Sequence, residues 1–151
     1  MASIPKDAQW YLADIVIEHR ITNEPQNVIH VNTTLIQASS PEEAYAHAQT
    51  LGHEMEETYE NTDGDLVTVI FRGLHNLLVI YDDLEHGAEL AYSEKIGLSE
   101  ADVQALLAAK SELAVFRPRI PPSRSKPNYM PKSVMDRLKE AGFDETELFE
   151  S

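Results

Sequence analysis

The sequence predicts an α+β fold: a mostly antiparallel sheet in the order β-β-α-β-β-β-β-α, helices packed on one face, and a Pro-rich C-terminal tail. Three observations predict it. Two early segments alternate apolar and polar residues with the period of a half-buried strand. Two helix starts carry serine caps, at Ser40 and Ser99. Most links between segments are hairpin-length, which favours antiparallel pairing.

In Trp10 to His19, Tyr11, Ala13, Ile15 and Ile17 form one alternating set, and Asp14 and Glu18 fall on the other. Val28 to Ala38 repeats the pattern with Ile29, Val31, Thr33 and Leu35 on one face. Between them Asn23, Pro25 and Asn27 supply turn chemistry, so the two segments read as a long hairpin. Ser40-Pro41-Glu42-Glu43 then combines a cap, a proline at the first helical position and a glutamate able to close a capping box. The helix it opens carries Ala44, Ala48, Leu51 and Met55 on one face and is expected to stop at Gly52. Strands are expected at Met55 to Asn61 and Leu66 to Leu74, joined by the turn Thr62-Asp63-Gly64-Asp65. Leu77 to Tyr81, apolar on both faces, reads as a central strand, and Ala88 to Glu94 as a further one. From Ser99 a second helix is expected to dock on the sheet through Val103, Leu106, Leu107 and Lys110, with Leu98 stapled to Val103.

Charge divides the chain in two. The whole chain of 151 residues has a formal charge of −14, from 12 Lys and Arg against 26 Asp and Glu. Residues 1 to 110 hold 5 basic and 19 acidic residues and so carry all of it. Residues 111 to 151 balance at 7 of each sign, with Arg117, Arg119, Arg124, Lys126 and Lys132 forming a basic stretch before an acidic end. Five of the eight prolines also fall in this part, where they remove backbone donors and favour extended chain. The expected division is therefore an acidic domain at 1–110 and a tail at 111–151, with a short helix near 131–141 stopped by Gly142. A helix of that length is unstable alone, so Val134, Met135 and Leu138 must dock on something, in cis or in trans.

Trp10-Tyr11-Leu12-Ala13, His30-Val31-Asn32-Thr33, Ser40-Pro41-Glu42-Glu43-Ala44, Tyr59-Glu60-Asn61 and Phe71-Arg72-Gly73-Leu74 resemble the bacterial family known as domain of unknown function 4288, over roughly residues 10 to 95. The resemblance implies a small bacterial cytosolic protein and no particular activity. The tail lies outside it.

Several chemistries are excluded by what the sequence lacks. With no cysteine there is no disulfide, thiolate zinc site or cysteine nucleophile. The net charge repels phosphate backbones and anionic lipid, so neither nucleic acid nor membrane is an expected partner. No apolar run reaches the roughly 20 residues that span a bilayer, and the first residues show no apolar signal region, so a cytoplasmic location is expected. The acidic run around His53, with Glu54, Glu56, Glu57 and Glu60, has same-side spacings of about 7 Å if it is a strand, too wide for one ion. Asn61 to Asp65 fails as a calcium loop because its glycine is at the fourth place and no glutamate follows at the twelfth. No metal and no cofactor are expected.

Two function classes remain. The leading one is a non-enzymatic protein-binding or regulatory module: an acidic adaptor or inhibitor of a basic protein partner. It would use the acidic edge Glu54, Glu56 and Glu60 and the tail residues Arg117, Arg119, Val134, Met135 and Leu138. The alternative is a small-molecule enzyme or ligand sensor with a pocket near His30, Asn32 and Arg72, polar residues that converge, together with Asp14, if the first hairpin pairs near Arg72. Gly73 beside that arginine is expected to mark a bulge.

Overall fold

The computed structural model describes residues 9–118 and 127–142. Its centre is a curled antiparallel sheet of four strands in the order β2-β1-β4-β3. Strand β1 is Trp10–Ile21, β2 Val28–Gln37, β3 Glu57–Glu60 and β4 Leu66–Val79; helix α1 is Pro41–Glu54, α2 Glu100–Ala105 and α3 Lys132–Glu140. The class is α+β. Among the described residues no helix is long and apolar enough to cross a membrane.

The first hairpin forms as its alternation requires, with Trp10 opposite Gln37 and His19 opposite Val28. Tyr11, Ala13, Ile15 and Ile17 are buried on the face that α1 covers. On β2 the register with β1 turns Val28, His30, Asn32, Thr34 and Ile36 toward that face. The more apolar set, Ile29, Val31, Thr33 and Leu35, is therefore on the opposite, uncovered side.

Helix α1 starts where Ser40 accepts the Glu43 amide at 3.1 Å, with Pro41 in its first turn. Glu43 does not complete the capping box with Ser40; its carboxylate accepts the Ser39 hydroxyl at 2.6 Å, which holds its pKa below the usual carboxylate value. Ala44 and Ala48 are fully buried, and their small size brings the helix close to the sheet. Gly52 does not end the helix, which runs on to Glu54. It is needed for a different reason: a Cβ there would stand 2.4 Å from the Phe71 ring, so the missing side chain makes room for an aromatic of β4.

Strand β4 is one element of 14 residues where two were expected. Gly73, with a φ of 134°, ends nothing; the register with β1 shifts on either side of it, leaving Arg72 and His75 without a β1 partner. These two bulges let β4 bend and stay paired, so Leu77 to Val79 continue the same strand. Nothing lies within 4 Å of the Cβ that Gly73 lacks, consistent with a bulge rather than a close contact.

After Ile80 the pattern departs from expectation. Ala88 to Glu94 forms no strand, because alternation requires a ladder partner as well as side chains of the right kind, and this segment has none. Ser99 does cap α2, accepting the Asp102 amide at 3.2 Å, but α2 buries no residue and does not dock on the sheet. Local capping fixed the helix, but capping does not by itself dock it. Two single turns at Lys110–Glu112 and Ala114–Phe116 complete the segment.

Gly52→Ala should lower stability by about 1–2 kcal/mol, since overpacking by a methyl group typically costs about 1–3 kcal/mol and outweighs the roughly 1 kcal/mol of helix propensity that alanine adds. Thermal unfolding measures it. Phe71→Leu in the same chain should recover part of the loss, which a purely local effect on α1 would not produce.

Candidate functional site

Beyond the C-terminal end of α1, the covered face of the sheet exposes its polar end. His19 of β1 and His30 of β2 lie there with ring centroids 4.8 Å apart. Tyr129 from the C-terminal segment completes a three-ring cluster, 5.2 Å from His19 and 5.1 Å from His30. The Tyr59 hydroxyl of β3 donates to the Tyr129 carbonyl, which fixes the backbone at that point. Burial pushes the Tyr59 phenol up to about 12, with the Glu57 carboxylate adding to the shift. Burial and the neighbouring His30 lower the His19 pKa, opposed by a backbone contact with Val28 and by Glu57. His19 Nδ1 is buried and has no hydrogen-bond partner among the described residues.

A second anchor stands beside this cluster. Asn61, at the end of β3, is almost wholly buried. Its Oδ1 accepts the amides of Asp63 at 3.0 Å and Asp65 at 2.8 Å, building the turn into β4. Its Nδ2 donates to the Asn128 carbonyl at 3.0 Å. Asn128 returns the contact, its Nδ2 donating to Thr62 Oγ1 at 2.7 Å and Asp63 Oδ2 at 3.0 Å, while its Oδ1 accepts the Met130 amide. A backbone bridge from Asn61 to Pro131 follows. The chain then enters α3, whose Met135 is buried and whose Val134 and Leu138 are half-buried. Gly142, with a φ of 94°, follows the helix as its expected stop. The described residues thus show the tail's apolar stripe docked in cis.

The residues proposed from sequence are placed as follows. Glu54 ends α1 and does not share a strand face with the others. Glu56 accepts from His53 Nδ1 at 2.9 Å and from the Phe71 amide at 3.3 Å, and His53 holds its pKa low. Glu60 lies 3.9 Å from the Lys132 ammonium of the tail. The three acids do not form one edge, and Glu56 and Glu60 are taken up in separate pairings. Among the described residues no group of three or more His, Asp or Glu is placed to hold a metal ion. Arg117 is exposed, and Arg119 lies outside the described residues.

His30 and Asn32 sit on the α1 face, whereas Arg72 Nη1 reaches Glu18 Oε1 at 3.6 Å on the other face. The three do not converge. Glu18 is instead the polar centre of the uncovered face, buried between the Asn27 amide at 2.7 Å, Arg20 at 3.3 Å and Arg72. Its pKa is lowered, first by the Asn27 hydrogen bond and then by Arg20. Asp14, also on that face, accepts the Thr33 hydroxyl at 2.8 Å. Sequence reasoning missed His19, Tyr59, Asn61 and Asn128. The one available signal was Asn61 at the head of an Asp-Gly turn, a residue type that bonds its own backbone two residues on.

A family model matches residues 10–93, more than half of the chain. The chain belongs to the family described as Domain of unknown function (DUF4288). No curated protein and no solved structure matches it. The DUF4288 span begins with β1 and closes after β4, so it contains His19, His30, Tyr59 and Asn61. The residues that dock on them, Asn128 to Met135, lie outside it. The three-ring cluster therefore joins the family domain to an appended segment.

Asn61→Ala strips partners from the Asp63 and Asp65 amides and the Asn128 carbonyl, and each loss of this kind costs about 1–3 kcal/mol where the group stays buried. Denaturant unfolding should show the destabilisation, and limited proteolysis should show faster cutting near 127–131. A second expectation concerns pH. The His19 pKa is lower in the folded state, so its contribution to stability is present above the unfolded value of about 6.5 and declines as pH falls below it. Hydrogen exchange at Met130 and Met135, corrected for intrinsic rates, should therefore lose protection as pH falls below about 6.5. His19→Gln should flatten that dependence.

Proposed function

We propose that this DUF4288 protein is a non-enzymatic cytoplasmic protein-binding module, and that residues 81–118 are the part that meets a basic protein partner. The observation that carries the reading is the state of that segment. All of it except Ala88 is exposed, including Tyr92 at 75%, Ile96 at 85% and Val115 at 82%. Its hydrogen bonds are local, such as Glu89 to Asp82 and Gln104 to Glu100. An apolar sequence held off the core has its burial still to gain, and contact with a partner supplies it.

Charge supports the class of partner. Residues 81–118 hold eight Asp and Glu against three Lys and Arg, so a cationic surface would be steered toward them. Leu106 and Leu107 of the turn after α2 stand exposed as candidate anchors, with Phe116 further along. The docked tail supports the reading in a second way: its apolar stripe is occupied in cis, whereas the apolar side chains of 81–118 remain exposed. The separation of His30 and Asn32 from Arg72 gives the small-molecule alternative no common pocket.

The test begins with recovery of partners from the native host and their identification, followed by calorimetry with the purified partner. A quadruple variant, Ile96→Ser, Leu106→Ser, Leu107→Ser and Val115→Ser, should weaken binding by at least about a hundredfold, with loss at several anchor positions. Its thermal midpoint should stay within about a degree or two of the parent, since exposed substitutions usually change stability by about 0.5 kcal/mol or less. Affinity should also fall as salt rises. Unchanged binding by the folded variant would remove the segment from the interface.

A further inference from the structure

The two edges of the sheet are built to opposite rules. Edge strand β3 is only four residues long and carries Glu57 and Glu60. Beyond it Asn61 is bridged by Pro131, and Tyr59 is tied to Tyr129, so the tail covers this side. Short length, charge, proline and a covering segment are the devices that stop an edge from pairing with another chain.

Edge strand β2 has none of them. It is ten residues long, Val28–Gln37, and pairs with β1 over its whole length without a register shift. It contains no Asp, Glu, Lys, Arg or Pro, in a chain with a net charge of −14. Among the described residues no strand lies on its other side. Its open-face side chains Ile29, Val31 and Leu35 are exposed at 48%, 51% and 45%. The apolar strip continues inward over Leu12 and Leu78 of β1 and β4, which the register places in line with Leu35.

We infer that β2 is a self-association edge: two copies pair antiparallel through β2 about a twofold axis, joining their sheets into one of eight strands. Neutrality selects the partner. An isologous contact brings the strand against a second copy of itself, residue i facing j and j facing i, so an edge charged with one sign would place like charges together across the axis. On a protein this acidic, β2 is a long strand where that penalty is absent. A basic heterologous partner, by contrast, would find no counter-charge on it. Pairing would satisfy the outward amides and carbonyls of the edge and bring the two Ile29, Val31 and Leu35 rows side by side.

Salt gives the contact a signature. Each copy brings −14, so the two bodies repel at long range and screening strengthens association. Binding of a basic partner to residues 81–118 has the opposite dependence, and the inference stands or falls separately from that reading.

Sedimentation velocity on the full chain, from about 5 to 200 μM, is the test over the range of ordinary reversible dimers. The expected result is a monomer–dimer equilibrium that shifts toward dimer between 50 and 500 mM NaCl, on the order of the range where screening changes most. Hydrogen exchange should show concentration-dependent protection confined to residues 28–37. Val31→Lys should raise the dissociation constant by about a hundredfold or more, through like charges facing across the axis. Val31→Glu should do the same, and an equimolar mixture of the two variants should restore dimers. That rescue also shows both variants to be folded. A monomer throughout the concentration and salt series would overturn the inference, whether the edge is bare or covered by another segment of its own chain. So would a dimer indifferent to both substitutions, or one in which the mixture fails to recover.

Discussion

A single helix cannot cover this sheet. Strand β1 has 12 residues and so runs about 40 Å at roughly 3.3 Å per residue, whereas α1 with 14 residues is about 21 Å long even if laid along the strands. The helix starts next to Ile36 and Tyr11, and by Gly52 it has reached Phe71, which pairs with Ile17. Past that point the face would be open at His19, His30 and Tyr59. The C-terminal segment fills this gap, and what it meets there is polar. That explains why the contact begins with rings and amides at Asn128 and Tyr129 before Met135 of α3 is buried, and why residues distant in the chain determine whether the sheet is closed on this side.

The composition of that contact has thermodynamic consequences. Asn61 and Asn128 exchange bonds through turn backbone, so each satisfies groups that the other would leave bare. Such a network is cooperative: intact, it fixes one arrangement, and with one member lost the rest become unpartnered buried groups. His19 adds sensitivity to protons, because burial and the His30 ring 4.8 Å away both disfavour its charged form. The residues of this latch, Met135 included, are not members of the aliphatic core cluster that holds Ala13, Ile15, Ala44, Ala48 and Val67.

The parts legible in the sequence were those fixed by neighbours along the chain. The β1–β2 hairpin, the Ser40 and Ser99 caps, the Asp63-Gly64 turn and the Gly142 stop all follow from local periodicity or turn chemistry, and all are present. What failed depended on partners far away. Gly52 reads as a helix terminator until Phe71 is seen against it. The bulge expected at Gly73 is present, but Leu74 reads as the end of a strand unless β1 is known to be long enough to pair across both bulges. The amphipathic stripe from Val103 to Leu107 predicts docking, but a stripe specifies what a helix could bury and not whether a surface is vacant. For β2 the alternation identified the two faces correctly. Which of them is inside was decided by register with β1, a choice that one residue of slip reverses.

That choice leads to the distribution of charge. Selecting the His30–Ile36 set for the interior left Ile29, Val31 and Leu35 outside, and the strand that displays them contains no Asp, Glu, Lys or Arg. The acids are concentrated instead in α1, around β3 and in residues 81–118. A small sheet covered on one face buries only a modest share of its surface, so its margin of stability is thin and its remaining apolar area is worth covering. The charge pattern sorts the ways this can happen. Acidic, apolar, detached chain in 81–118 suits a cationic surface that approaches from a distance, whereas a neutral and regular strand suits contact at short range with its own likeness. The two proposed contacts would respond to salt in opposite directions, so raising the ionic strength would favour the second over the first without any change in the fold.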